Sequence, residues 1–181
     1  MSRFEEKQIS REEIFDGAVL HVVKDKILLP DGNTSYREFC LHKGAVAVIP
    51  VTDDNEAILV RQFRYAHHRE FLEIPAGKFD FIGEDPLDAA KRELEEETGA
   101  RAEKYTFLGV LDTTPALIDE KIHMFLAEGL TFGESHPDED EFISAERYPL
   151  KTLVDMVMSG EIRDAKTQIA VLKAAKIRNI D

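Results

Sequence analysis

The chain has 181 residues, 43% of them hydrophobic and 33% charged, a composition typical of a globular protein that can bury a proper core. Its 23 basic residues are outnumbered by 36 acidic ones, and the net charge of −13 disfavours nucleic acid as a partner, since phosphate backbones bind mainly to lysine and arginine. A single cysteine, a start unlike a signal peptide and the lack of a run of about 20 apolar residues predict a cytoplasmic protein with neither disulfides nor membrane contact.

The first 42 residues are predicted to form a small antiparallel β unit, separate from the main domain at residues 43–181. Aliphatic and β-branched stretches indicate its strands, and a Pro-Asp-Gly-Asn turn precedes the last of them. These predicted strands are Val19–Val23, Lys26–Leu29 and Tyr36–Leu41.

Compact apolar runs begin the main domain and predict its first strands. A polar turn at residues 52–55 separates two of these runs, so we predict that they pair with each other. A shorter strand follows and leads directly into Ala76-Gly77. The three predicted strands are Ala45–Val51, Ala57–Phe63 and Phe71–Pro75.

A helix is predicted after this loop because both of its ends are marked. Asp85 is a typical N-cap, Pro86 suits the first helical position, and Gly99 suits the left-handed residue that ends a helix. One face is apolar at helical spacing and should pack on a sheet. Its residues are Leu87, Ala90 and Leu94.

The remaining chain alternates predicted strands with two final helices. The strands are Tyr105–Asp112, Lys121–Ala127 and Phe142–Tyr148, and the helices are Leu150–Ser159 and Asp164–Lys176. We therefore expect an α+β protein in which a mixed sheet carries helices on its faces.

Three glutamates near the end of the first helix indicate a metal site. At about 100° per residue, Glu93 and Glu97 lie one turn apart on one face, and Glu96 flanks them. Their charges repel one another and oppose the helix macrodipole, so helix stability does not explain them. A solvated acidic surface is the ordinary explanation of a glutamate run, but the spacing to Gly77 and Glu84 favours a hard cation held by oxygen ligands.

Residues 77–100 resemble the Nudix box, G-x5-E-x7-R-E-U-x-E-E-x-G-U, in which U is a bulky apolar residue. From Glu84 onward the match is complete except at Ala100, which is small. Between Gly77 and Glu84 the chain has six residues instead of five, so the loop carries an insertion within residues 79–82. A pattern of this length is far more specific than an isolated glycine loop, and it implies a Nudix α/β/α sandwich.

Further segments resemble the ADP-ribose pyrophosphatase branch of the Nudix hydrolases: Gly44–Val48, Val60–Arg64, Glu73–Gly77, and Pro115, sixteen residues after Gly99. The branch usually has glycine where this chain has Ala116. The resemblance implies a homodimer that hydrolyses the diphosphate bond of a nucleoside diphosphate sugar with Mg²⁺, or with Mn²⁺. ADP-ribose, which yields AMP and ribose 5-phosphate, is the first expected substrate, and GDP-mannose or a broader range of nucleotide sugars is the second.

The resemblance also implies roles in metal binding and catalysis. The metal ligands would be the Ala76 carbonyl oxygen and four carboxylates, Glu93, Glu96, Glu97 and Glu141. Glu96 and Glu141 are also candidate catalytic residues, with Glu139 as a candidate base, and a solvated acidic loop is the alternative for the last two. Glu84 and Arg92 would brace the loop against the helix.

Substrate contacts are implied by the same resemblance. Arg61 and Arg64 lie three residues apart on a strand and point to opposite faces, so only one can meet the ligand, and the resemblance favours Arg64 as the diphosphate clamp. Glu73 would contact the nucleoside end, and Pro115 would line the site. Arg37, from the N-terminal strands, would reach the substrate across a dimer.

Two other functions fit part of the pattern. A Nudix enzyme that cleaves nucleoside triphosphates or capped RNA ends is one alternative, although the acidic surface disfavours long RNA and Pro115 favours the sugar branch. A non-catalytic nucleotide-sensing module is the other, and it would require damaged metal ligands, whereas Glu93, Glu96 and Glu97 are all present.

Overall fold

The computed structural model describes residues 2–136 and 142–180 and divides into two compact units. The first unit comprises Met1–Lys43 and Asp112–Lys121, and the second comprises Gly44–Leu111 and Ile122–Asp181. No helix within the described residues is long and apolar enough to cross a bilayer.

The first unit contains a three-stranded antiparallel sheet in the order β1-β2-β3. Its strands are β1 (Lys7–Asp16), β2 (His21–Leu28) and β3 (Thr34–Leu41). The prediction of two short strands between residues 19 and 29 is wrong, because β2 runs without a break from His21 to Leu28. Asp25 interrupts the apolar pattern of β2, yet it is buried and bound by both Nε and Nη2 of Arg11, each at 2.8 Å.

In its described residues, the second unit contains two sheets, three α-helices and a short 3-10 helix at Tyr65–His67. One sheet has the order β7-β4-β9-β8 and the other the order β10-β5-β6. The strands are β4 (Ala45–Pro50), β5 (Glu56–Arg64), β6 (Arg69–Glu73), β7 (Ala76–Lys78), β8 (Ala100–Asp112), β9 (Lys121–Phe132) and β10 (Ile143–Pro149). The helices are α1 (Pro86–Thr98), α2 (Leu150–Met158) and α3 (Ala165–Arg178).

The predicted pairing of the first two strands of the main domain is wrong. Among the described residues, an isolated bridge joins Val51, directly after β4, to Ala57 of β5, and the two strands do not pair along their length. β4 instead runs parallel to β9 and antiparallel to β7, while β5 pairs with β6 and β10. Every residue of β4 is buried, so the strand takes a central place with partners that cover both of its faces.

The core of the second unit is built on the two faces of β4. Ala47 and Ile49 pack in a cluster with residues of β5, β9, α2 and α3. Val46 and Val48 pack on the opposite face with Leu94 of α1. The mixed sheet with helices on its faces confirms the α+β fold, and this packing fixes which side of α1 is turned inward.

Candidate active site

Helix α1 begins and ends at the predicted residues. The Asp85 carboxylate accepts the backbone N–H groups of Leu87 at 2.9 Å and of Asp88 at 3.2 Å, and Pro86 follows it. At the other end, Gly99 has φ of 68° and donates its N–H to the Glu95 carbonyl. With both ends fixed, the helix has one register relative to the sheet.

That register buries two of the predicted metal ligands against β7. Glu93 is 9% exposed and Glu97 is 7% exposed. The Glu97 carboxylate accepts the Ala76 backbone N–H at 3.3 Å. A Cβ atom on Gly77 would lie 2.1 Å from the Glu93 carboxyl carbon, so the glycine leaves room for that carboxylate against the backbone. Three of the predicted metal ligands, Ala76, Glu93 and Glu97, therefore meet beside Gly77.

Arg92 holds the exposed side of this cluster. Its Nη1 donates to Glu93 Oε1 at 2.7 Å and to Glu96 Oε2 at 3.1 Å. Its Nη2 donates to the Lys78 carbonyl at 3.3 Å and lies 3.5 Å from Glu84 Oε1. One guanidinium thus links the helix to both ends of the loop that follows β7.

The loop itself accommodates its extra residue on the surface. Phe81 and Ile82 are exposed, and Gly83 has φ of 91°, a conformation that favours glycine. Glu84 turns back and accepts the Asp80 N–H at 2.8 Å. The Asp80 carboxylate lies 3.4 Å from the buried Nε of Arg92, although this Nε makes no hydrogen bond within the described residues. The insertion therefore leaves the contact between loop and helix in place.

The chemistry of these groups fits a hard divalent cation. The helix supplies three carboxylates, two of them buried, and oxygen ligands suit Mg²⁺ and Mn²⁺. Buried carboxylates also need cationic partners, since isolated buried charges are costly. The residues that would hold the ion are Glu93, Glu96, Glu97 and the Ala76 carbonyl.

The described residues do not form a complete metal-binding group by themselves. No three His, Cys, Asp or Glu side chains converge closely enough across residues 2–136 and 142–180. The guanidinium of Arg92 draws Glu93 and Glu96 toward itself. The other two predicted acidic residues, Glu139 and Glu141, lie outside the described residues.

A second charged cluster surrounds Glu73, which is only 3% exposed. Arg64 donates from Nε to Glu73 Oε1 and from Nη2 to Oε2, both at 2.7 Å, and Lys166 donates to Oε2. Burial raises the pKa of Glu73, but the hydrogen bonds from Arg64 and the charge of Lys166 outweigh burial and lower the pKa to about 2. Glu73 is therefore ionised at any physiological pH.

Sequence reasoning did not find Lys166. A single lysine on a helix more than ninety residues from Glu73 carries no local signal, because its role depends entirely on how α3 packs. Its neighbour Asp164 lies 3.1 Å from the Lys166 Nζ atom. Asp164 also lines a cleft of about 550 Å³, together with His67, Arg69, Phe71, Arg163 and Ala165.

The two arginines of β5 bind carboxylates from opposite neighbours. Arg61 donates from Nε to Glu146 Oε1 at 2.6 Å and from Nη2 to Oε2 at 3.0 Å, across to β10. Hydrogen bonds from Arg61 and Tyr148 lower the pKa of Glu146 to about 2. Arg64 binds Glu73 of β6 instead, so Arg64 is the arginine on the Glu73 side.

Two predicted substrate residues belong to the first unit. Arg37 donates from Nε to Glu6 Oε2 at 3.0 Å and from Nη1 to the Tyr36 carbonyl at 3.0 Å. Pro115 is exposed, in the segment whose Leu117 carbonyl accepts the Cys40 N–H at 2.8 Å. Their predicted roles at the substrate stay predictions.

Comparison with known proteins places these features in one family. Residues 41–169 match the NUDIX domain family. The chain is 44% identical to an ADP-ribose pyrophosphatase of Bacillus subtilis (strain 168), over 94% of this chain and 93% of that protein. It is also 44% identical to a methanol dehydrogenase activator of Bacillus methanolicus, over 93% of this chain and 91% of the relative. The solved structure of an ADP compounds hydrolase matches with a TM-score of 0.85 at 24% identity, over 99% of this chain and 97% of the other, and shows that the fold is shared.

Proposed function

The chain belongs to the NUDIX domain family and is a hydrolase of that family, and we propose that it cleaves the diphosphate bond of nucleoside diphosphate sugars. ADP-ribose, hydrolysed to AMP and ribose 5-phosphate, is the first substrate we propose. GDP-mannose and other nucleotide sugars are the next. The 44% identity to an ADP-ribose pyrophosphatase supports this order.

One observation carries the proposal. The Glu93 carboxylate packs against the Gly77 backbone, where an added Cβ would lie 2.1 Å from the carboxyl carbon, and Glu97 is buried beside Ala76. Structural stability gains little from two buried carboxylates on one helical turn. A site that gathers a divalent cation explains why the carboxylates are held there.

The cation would be Mg²⁺, or Mn²⁺ in its place, bound by Glu93, Glu96, Glu97 and the Ala76 carbonyl. When bound, it would offset the charge of the diphosphate and lower the pKa of a water molecule at the phosphorus. Arg92 keeps the helix and the loop together around these ligands. Arg64 would bind the diphosphate and offset part of its charge.

We assign two further groups of residues by resemblance. Glu141 would be a metal ligand and Glu139 a base that takes a proton from the attacking water, with Glu96 as a third catalytic carboxylate. Arg37 and Pro115 would contact the substrate, whereas Glu73, which is 3% exposed and bound by Arg64 and Lys166, would act on the substrate through Arg64.

Self-association would bring Arg37 to a second copy of the chain. β1 is an edge strand whose residues are all exposed, including Ile9, Ile14 and Phe15. Exposed edge strands with apolar side chains are prone to pair with another chain. This surface supports a homodimer formed through the first unit.

The test is hydrolysis of ADP-ribose by purified protein with Mg²⁺, followed as release of AMP. We expect turnover that disappears on metal removal and returns on its addition. A Glu93→Gln variant should retain its fold but lose most activity, because an amide is a poorer ligand than a carboxylate. If the wild-type protein released no product from a panel of nucleotide sugars, the proposed activity would be wrong.

A second candidate function is activation of a partner enzyme. The relative named methanol dehydrogenase activator is as similar to this chain as the pyrophosphatase. If the chain activates a methanol dehydrogenase through its hydrolase site, Glu93→Gln should abolish both effects. If activation survives in Glu93→Gln, the chain also acts as a binding module.

A further inference from the structure

We propose that Lys166 is a positioning residue for substrate binding, which acts through Glu73 to aim the Arg64 guanidinium at the diphosphate. The assignment of the diphosphate to Arg64 rests on the proposed function. The placement of Arg64 by Lys166 follows from contacts within the second unit and holds independently of the substrate.

Glu73 is the centre of this arrangement. Its carboxylate is buried, and both of its oxygens are engaged by Arg64 Nε and Nη2 at 2.7 Å. Lys166 donates to the same Oε2 that accepts Arg64 Nη2. A carboxylate that is also bound by a second cation cannot rotate without losing that contact. Lys166 therefore fixes the plane of the Glu73 carboxylate, to which the Arg64 guanidinium binds.

Glu73 binds only one edge of the Arg64 guanidinium, so the other edge can bind a ligand. Nε and Nη2 are used by Glu73, whereas Nη1 has no hydrogen-bond partner within the described residues. The Arg64 side chain is 42% exposed, in contrast to the buried Glu73. Nη1 is therefore the part of the guanidinium that Glu73 leaves open, and an anionic oxygen can accept its hydrogen bonds.

Lys166 is itself held in a fixed place. Its side chain is 12% exposed and is balanced by Glu73 and by Asp164 at 3.1 Å. Asp164 caps α3 by accepting the Thr167 N–H at 2.9 Å, and the Thr167 hydroxyl accepts the Ile74 N–H at 2.9 Å. The first turn of α3 is thus joined to the segment that runs from Glu73 toward Ala76.

This arrangement explains why a mostly buried lysine lies beside an ion pair that is already complete. Arg64 and Glu73 neutralise each other in a bidentate pair, so charge balance of that pair does not require Lys166. A cation that only stabilised the fold would affect unfolding but not ligand affinity. A cation that orients the Arg64 guanidinium must affect both the mobility of that group and the binding of the diphosphate.

The experiment compares Lys166→Met with Lys166→Arg and with Lys176→Met, an exposed lysine on the same helix. Binding is measured with the non-hydrolysable α,β-methylene analogue of ADP-ribose, and turnover with ADP-ribose itself. Lys166→Met should raise KM and the dissociation constant of the analogue about tenfold, with kcat changed less than about threefold, because a misdirected hydrogen-bond donor weakens binding. Lys166→Arg should restore most of the affinity, and Lys176→Met should match the wild type.

A second readout does not depend on the substrate. The NMR signal of the Arg64 Nε–H, assigned by its loss in Arg64→Lys, should be sharp and slow to exchange in the wild type but broadened in Lys166→Met. Unchanged binding in Lys166→Met, or an unchanged Arg64 signal, overturns the inference even if the melting temperature falls. If the Arg64 signal changes as expected but the wild type binds no nucleotide sugar, the positioning of Arg64 stands and the proposed function fails.

Discussion

The absence of a side chain at Gly77 is explained by its neighbour Glu93 and not by an unusual backbone angle. An added Cβ would lie 2.1 Å from the Glu93 carboxyl carbon, so this carboxylate would have to move. Because the carboxylate ends a flexible side chain, Gly77→Ala should cost only about 1–2 kcal/mol of unfolding free energy. Displacing a metal ligand should nevertheless lower kcat/KM for ADP-ribose about 100-fold.

Gly133→Ala is the matched control for this substitution, since the nearest atom to its added Cβ is 3.7 Å away, an ordinary contact. Hydrolysis assays and denaturant melts on both variants separate the two effects. Wild-type activity in Gly77→Ala would show that the position of Glu93 does not matter for catalysis.

The lowered pKa of Glu73 predicts how the stability of the fold depends on pH. Its pKa is lowered from 4.5 to about 2, so the stability it contributes is present above about pH 4.5 and is lost as the pH falls toward 2. The contribution at neutral pH is on the order of 3 kcal/mol. Glu73→Gln should therefore be less stable at pH 7 and should lose less stability than the wild type between pH 5 and about pH 3.

Urea denaturation at several pH values measures this difference. The carboxylate of Glu146, whose pKa is also lowered to about 2, contributes a separate loss of stability at acid pH, and the Glu73→Gln variant retains that loss. Parallel pH profiles for the wild type and Glu73→Gln would contradict the ionised pair.

At the scale of elements, helix α1 depends on its N-cap. Asp85 accepts two backbone N–H groups that would otherwise lack partners, so Asp85→Ala should cost about 1 kcal/mol. Asp88→Ala is the control, because its carboxylate makes an exposed ion pair with Lys91 at 3.0 Å, and it should cost less than about 0.5 kcal/mol. Chemical denaturation of both variants measures the difference, and equal losses would argue against the cap.

The strands show where local patterns mislead. The polar turn at residues 52–55 favours a hairpin of β4 and β5, yet these strands join different sheets. Strand pairing is decided by which faces must be covered, and β4 is buried on both. β1, which is largely polar, is not apparent as a strand in the sequence because its conformation depends on pairing with β2.

At the scale of the whole molecule, the exposed edge of the first unit predicts an assembly. Ile9 and Ile14 of β1 are 52% and 51% exposed, and we expect them to be covered by a second copy. The double variant Ile9→Lys, Ile14→Lys should shift the protein from dimer to monomer, because buried lysines would go unpaired. Light scattering after gel filtration measures the mass.

Ile177→Lys, at an apolar residue of α3 that is 48% exposed, is the control and should leave the mass unchanged. A monomeric wild-type protein, or a dimer that survives both β1 substitutions, would exclude this interface.

The sequence by itself determined helix α1, its two ends and the placement of Glu93 and Glu97 on one face, because caps, helical periodicity and the Nudix pattern are all local. It also determined the family, since the Nudix pattern is identified from residue types and spacing without any tertiary contact. Only the tertiary structure decided that β4 and β5 separate, that Gly77 makes room for Glu93, and that Lys166 joins Arg64 at Glu73. Each of these depends on residues brought together by packing, and the spacing between distant residues along a chain does not encode which of them will meet.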